Sequence, residues 1–267
     1  MESCVYLLNS TPKYYWILPL HCILIKRYAR KLEWPIVLAT EVPDHPICKR
    51  LVREFDVKLL LLDPKKQGFL DSRAEALRIL SETTEYKYVF PMQDDFLLDR
   101  EPDYEVLQEA FDMMELDVSL ASVRLMPCPG PHGPSLPARK RWAALSFDLD
   151  EYGFTYQATL WRLDTCAEWY KRICRKLDKE WPPSSTTPEQ RRRLEIVGNF
   201  AENSEGQRFF WKFSMETDIW HAAWVRKGKW SNAVYLSGWP YRPTAIVSGV
   251  TAPWAKELAQ REGEPFP

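Results

Sequence analysis

The sequence predicts an α/β fold, with a mostly parallel central sheet and helices on both faces. Three observations point there. Over the first 125 residues, short apolar runs alternate with stretches of helical periodicity, in the order that βαβ units produce. The chain has 267 residues, 45% of them apolar, enough to bury a large core without disulfides or metal staples. No internal repeat or interdomain linker interrupts it, so residues 1–267 read as a single domain with C-terminal elaborations.

The elements follow in order. Val5–Leu8 is an apolar run closed by the turn-forming Asn9-Ser10-Thr11-Pro12. Tyr14–Leu32 reads as a helix with Lys and Arg toward its end, Pro35–Thr40 as a strand and His45–Phe55 as a helix. Val57–Leu62 is the kind of apolar run a buried parallel strand shows. In Asp71–Leu80, Ala74, Leu77 and Leu80 recur at helical spacing. Tyr86–Met92 is the fourth strand and stops at Gln93-Asp94-Asp95. A helix over Asp103–Met114 and a strand over Val118–Leu125 come next. Pro127–Pro137 is a Pro/Gly-rich loop with Arg139-Lys140-Arg141 behind it. Phe154–Trp161 reads as a strand and Thr165–Leu177 as a helix. A loop over Trp181–Pro188 leads to a helix over Pro188–Gly198 that carries Arg191-Arg192-Arg193. Ser214–Asp218 leads into a helix through about Arg226, and Tyr235–Leu236 and Ala245–Val247 are short strands.

Composition excludes several classes. Lys and Arg number 36 against 37 Asp and Glu, so no global basic field invites nucleic acid. The basic runs at 139–141 and 191–193 suit phosphate, an anionic membrane or a solvated face. The six cysteines show neither a C-x-x-C pair nor a zinc spacing, and read as reduced thiols. The apolar run Tyr14–Ile25 is too short to span a membrane and lacks the marks of a signal peptide, which makes a cytoplasmic location the expectation.

The strongest chemical signal is Tyr88-Val89-Phe90-Pro91-Met92-Gln93-Asp94-Asp95-Phe96-Leu97-Leu98. Two adjacent carboxylates sit between apolar runs. Burying two like charges is costly unless a cation or hydrogen bonds neutralise them. Magnesium or manganese, which bind carboxylates together with substrate phosphates, would do so. The other reading is a pair of solvated or capping acids at a strand end. In a parallel sheet, ligands bind beyond the carboxyl ends of the strands, here Asn9-Ser10-Thr11, Glu41, Asp63 and Asp94-Asp95.

On these residues and their order, over about residues 3–226, the chain resembles the GT-A glycosyltransferases, particularly those related to glycosyltransferase family 2. Gln93-Asp94-Asp95 is similar to the family's variant D-x-D motif, with Gln93 where an acid usually stands. The resemblance implies a GT-A (Rossmann-like) sheet, with residues 1–125 binding the nucleotide-sugar and 126–267 the acceptor. It implies Asp95 and Asp94 as ligands of a divalent cation, manganese or magnesium, with Asp94 also facing the ribose. Asn9, Ser10, Thr11, Glu41 and Arg73 would meet the nucleotide-sugar. Glu216 or Asp218, with Asp218 the first choice, would be the general base at a helix start. Their alternative is ordinary capping of a first helical turn. Tyr156, Gln157 and Trp161 would meet the acceptor. Trp239-Pro240-Tyr241-Arg242 is a further aromatic candidate, with core packing the alternative for each ring. His221, three residues after Asp218, would share its helical face as an extra metal ligand or be a satisfied histidine.

The activity so implied is transfer of a hexosyl or pentosyl group from a nucleotide-sugar, a UDP-sugar favoured, to a hydroxyl of a glycan or glycoconjugate, with inversion if one direct displacement operates. The rivals are a sugar nucleotidyltransferase, disfavoured by the lack of a Gly-rich, Lys-containing loop after the first strand, and a non-catalytic binding or scaffold protein of the same fold. Peripheral contact with a membrane stays compatible with all three.

Overall fold

The computed structural model of the protein describes residues 3–64, 68–126, 130–132, 135–136, 139–187, 189–190, 201–224, 238–242, 244–247, 249–264 and 266. The first half alternates as the apolar pattern requires: β1 (Cys4–Asn9), α1 (Leu18–Tyr28), β2 (Ile36–Thr40), α2 (Pro46–Phe55), β3 (Lys58–Leu61), α3 (Phe69–Thr83) and β4 (Tyr88–Gln93). A 3-10 helix, Pro12–Ile17, joins β1 to α1. Then come β5 (Leu97–Leu98), α4 (Tyr104–Leu116), β6 (Leu120–Arg124), β7 (Ser135–Leu136), β8 (Arg139–Ala144), β9 (Thr159–Arg162) and α5 (Leu163–Glu180). The last described elements are α6 (Ser204–Thr217), β10 (Trp220–Trp224), β11 (Tyr241–Arg242), β12 (Ile246–Val247), β13 (Val250–Thr251) and α7 (Pro253–Arg261).

Among the described residues the main sheet has nine strands in the order β3-β2-β1-β4-β9-β6-β10-β8-β7. The strands β1 to β4 are parallel to one another, and β10 is parallel to β6. The strand β9 runs antiparallel between β4 and β6. The fold is thus the α/β arrangement of a largely parallel sheet with helices on both faces that the sequence predicts. Because β1 lies between β2 and β4, the strand order reverses direction there, and the carboxyl ends of β1 and β4 flank the switch point.

Side chains alternate across each strand, so the sheet feeds two cores. Cys4, Tyr6 and Leu8 of β1 join one core with α1, α2, α4 and α7. Val5 and Leu7 join the other with α3, α5 and α6. Trp239 belongs to the first, stacked on Trp34 at 6.0 Å and tilted on Phe90 at 4.7 Å. Caps set the helix limits: Asp103 accepts from Val106 N, and Asn203 from Gly206 N.

Three local expectations are revised. The run Val57–Leu62 forms a sheet-edge strand, with Leu61 60% exposed, because β2 is the neighbour that hydrogen-bonds to it. The stretch Phe154–Trp161 is extended only from Thr159; residues before it bend, fixed by Gln207, whose carboxamide bonds both Phe154 N and Phe154 O. The expected helix through Arg226 is instead β10, because α6 ends at Asp218, which takes the left-handed conformation (φ 51°) and turns the chain. The expected helix over Pro188–Gly198, with Arg191-Arg192-Arg193, and the strand Tyr235–Leu236 lie outside the described residues, as does Cys128. Cys4, Cys22, Cys48 and Cys166 are buried thiols. Among the described residues no helix is long and apolar enough to cross a membrane.

Candidate functional site

The parallel register brings the ends of β1 and β4 together, Asn9 opposite Gln93. One residue further, the Ser10 hydroxyl donates to Asp94 Oδ2, a contact across 84 positions of sequence. On the same side, α1 presents His21 to the turn after β4. Its Nδ1 lies 2.9 Å from the Asp94 carbonyl and its Nε2 lies 2.8 Å from the Tyr6 hydroxyl. The carbonyl only accepts, so Nδ1 carries the proton and Nε2 accepts from Tyr6. Burial lowers the His21 pKa to about 4, and the ring stays neutral at pH 7.

The two carboxyls are electrostatically poised. Asp94 is pushed up to about 6 by burial, against the pull of the Ser10 hydroxyl and of backbone N–H groups. Asp95 is pushed up to about 7 by burial and then by the charge of Asp94, opposed by a hydrogen bond from the backbone of Ile246. The C-terminal segment closes on this turn: Ala245 N donates to Asp95 O at 3.1 Å, and β11 pairs with β5. Tyr241 stacks on Phe96 at 4.8 Å and donates to Gln157 Oε1.

The remaining expected residues divide by edge. Thr11 is exposed, beginning the 3-10 helix beside Ser10. Glu41 follows β2 and accepts from Ser72 Oγ at 3.0 Å, tying α3 to the same edge. Beside it, Tyr15 OH meets Thr40 Oγ1 at 2.5 Å, and burial pushes that phenol up to about 12. Arg73, 2% exposed, donates from Nη2 to Met92 O at 3.1 Å and lies over the Phe69 ring. Tyr156 meets Phe69 edge-on at 5.2 Å, which places it near Arg73. Gln157 reaches the edge through Tyr241.

Three expectations are not brought together with these. Trp161, 2% exposed, packs in the second core against Phe154 and Phe210. Glu216 and Asp218 close the C-terminal end of α6 and not a helix start, just before β10. Because β10 is parallel to β6, and β6 runs with β4, they lie at the amino edge of the sheet, opposite Asp94 and Asp95. Glu216 is exposed and paired with Arg172 at 3.2 Å. His221 is on a strand, buried, bonded to Ser122 Oγ and lowered to about 3 by burial, so it is a core histidine.

The site residues that sequence reading missed are His21, Tyr15 and Glu202. Glu202 precedes α6 at its carboxyl-edge end, and its Oε1 accepts from Tyr156 N at 2.6 Å. No spacing in the sequence marks these three; each meets its partner only through the fold.

The described side chains at this edge that could hold a divalent cation are Asp94 and Asp95. Among the described residues no third His, Cys, Asp or Glu joins them in a cluster able to hold a metal ion. Two raised, mutually repelling carboxyls gain from a cation, whose shell would be completed by phosphate oxygens and water.

No protein-family model matches the chain, and no curated protein matches it. Among solved structures, S. aureus TarS residues 1–349 is similar at TM-score 0.43 and 13% identity, over 85% of this chain and 59% of that one. A longer TarS structure matches over 34% of its length, so the chain spans well under two thirds of TarS. CMP:2-keto-3-deoxy-manno-octonic acid synthetase complexed with CTP is similar at TM-score 0.45 and 13% identity, over 99% of this chain and 100% of that one. A cytidylyltransferase from Leptospira borgpetersenii is similar at TM-score 0.44 and 8% identity, over 98% and 96% of the two chains.

Proposed function

We propose that the protein is a cation-dependent glycosyltransferase that takes a sugar from a nucleotide-sugar, a UDP-sugar favoured, to a hydroxyl of a glycan or glycoconjugate. The observation that carries this reading is the Asp94-Asp95 pair at the switch point, with Ser10 of the β1 loop bonded directly to Asp94. Asp95 and Asp94 would hold manganese or magnesium, which supplies charge neutralisation for the leaving diphosphate.

The chain's own groups do the rest. Ser10 aims the Asp94 carboxylate. His21 fixes the backbone of the β4 turn through the Asp94 carbonyl. The contact of Ala245 N with Asp95 O holds the C-terminal segment over the same turn. Binding donor and acceptor together at this edge lowers the entropic barrier to displacement. Gln93 contributes no charge, which limits the protein's share of the cation shell to two carboxylates.

The nucleotidyltransferase reading uses the same edge, but there the leaving group is pyrophosphate and the substrate a nucleoside triphosphate. A donor screen separates the readings. UDP-, GDP- and TDP-sugars are incubated with and without manganese, with wild type and Asp95→Ala. Slow sugar release that requires both manganese and Asp95 supports the transferase. Pyrophosphate release from a triphosphate, with no turnover of any nucleotide-sugar, overturns it in favour of the nucleotidyltransferase. Binding to none of them leaves a scaffold.

A further inference from the structure

The α3 face of the switch point holds polar groups that the reading above does not use. Val5 and Leu7 point into the core under α3, and Asn9, two residues on in the same strand, faces the same way. Its register partner on β4 is Gln93. Asn9 is 6% exposed, and among the described residues neither Nδ2 nor Oδ1 has a hydrogen-bond partner. Arg73 reaches this face from α3, where it bonds the carbonyl of Met92, the residue before Gln93. Among the described residues that is its one hydrogen bond; its Nε is enclosed and unbonded, and no carboxylate pairs with it. The nearby carboxylate of Glu202 is turned to the backbone of Tyr156. The Arg73 charge is felt by Asp94, whose carboxyl it pulls down, but no ion pair forms between them; a buried guanidinium N–H and a buried carboxamide left without hydrogen-bond partners are costly.

We propose that Arg73 and Asn9 form a seat for a carboxylate on the transferred sugar, so that the donor is an acidic nucleotide-sugar. This rests on the nucleotide-sugar reading. The chemistry matches group by group. A carboxylate accepts from Arg73 Nε and Asn9 Nδ2. The hydroxyl beside it on a sugar ring donates to Asn9 Oδ1. Phe69 lies under the Arg73 guanidinium and meets Tyr156 edge-on at 5.2 Å, so both rings border the seat. The diphosphate belongs to the other side of the switch point, where Ser10 and His21 organise Asp94 from the α1 side. The same seat fits a phosphate, and the test separates the two anions.

The experiment is calorimetric binding to the full chain, with manganese present, of matched donors that differ only in the sugar acid: UDP-glucose with UDP-glucuronate, and GDP-mannose with GDP-mannuronate. UDP and inorganic phosphate alone are the phosphate arm. The expected result is at least a tenfold preference for the acidic member of one pair. Arg73→Met abolishes the preference and Arg73→Lys keeps part of it, with thermal melting confirming that each is folded. Asn9→Leu narrows the preference and is the second variant if Arg73→Met does not fold. Equal affinity for both members of a pair that does bind overturns the carboxylate seat and leaves the transferase reading standing. An Arg73→Met loss that falls equally on UDP alone assigns the seat to phosphate and also overturns it. Binding of no nucleotide-sugar overturns both.

Discussion

Replacing Asp95 by asparagine isolates the electrostatics of the site. In the folded protein the Asp95 carboxyl sits at about 7, against an ordinary value of 3.8, because of burial and of the neighbouring Asp94 charge. A raised folded value means that the fold favours the protonated form. Stability is therefore greatest below about pH 4 for this group, and falls as pH rises through about 7. About three pH units at 1.36 kcal/mol each would give roughly 4 kcal/mol, which remaining solvent contact reduces to about 2 kcal/mol. Asn keeps the shape and removes the charge. In metal-free buffer Asp95→Asn should raise the melting temperature by about 5 °C at pH 8 and change it little at pH 4.5. Manganese should raise the melting temperature of wild type at pH 8, less at pH 5.5 where protons compete, and fail to raise that of the variant. Scanning calorimetry across pH 4.5–8 reads all of this. An equal loss of stability at every pH, or a manganese shift that survives Asp95→Asn, would refute the reasoning.

Other outcomes follow from neighbouring contacts. Ser10→Ala removes the hydroxyl that Asp94 accepts from, and should cost about 2 kcal/mol at pH 8 and about half that at pH 5, read by urea unfolding. His21→Phe leaves the Tyr6 hydroxyl and the Asp94 carbonyl without their partner and should cost about 2–4 kcal/mol, with weaker manganese binding by calorimetry. Asp218→Gly relieves a left-handed residue at the end of α6 and should add about 0.5–1 kcal/mol while donor hydrolysis stays unchanged. Trp239→Ala empties a buried aromatic cluster and should cost about 3–5 kcal/mol in thermal or urea unfolding.

The βα alternation was legible because each strand and helix of the first half carries its own period, and because Gln93-Asp94-Asp95 interrupts an apolar strand. Legibility ended where tertiary contact decides. Nothing local tells that β9 inserts antiparallel between β4 and β6, or that His21 of α1 meets Asp94 across 73 positions. Glu216 and Asp218 illustrate the failure best. Acids near Ser and Thr suit the first turn of a helix, but the apolar residues Phe210, Trp211 and Phe213 before them already form α6, so the same acids close its end. The sheet direction then carries them to the far edge. Trp161 failed for a related reason: an aromatic in a strand between two others has no solvent face to offer. The strand-end position of Asn9 and the family resemblance at Arg73 both point to a ligand; that their polar atoms are enclosed and largely unpartnered among the described residues emerges only from packing.

The central claim is that Asp94 and Asp95 at the β1–β4 switch point hold a cation shared with a nucleoside diphosphate. The most direct measurement is anomalous diffraction at the manganese edge from crystals grown with UDP and manganese. The account predicts one manganese peak at bonding distance, about 2.1 Å, from an oxygen of Asp95, with a diphosphate oxygen on the same ion. A diphosphate bound elsewhere, or bound at this edge with no manganese on Asp95, would contradict it.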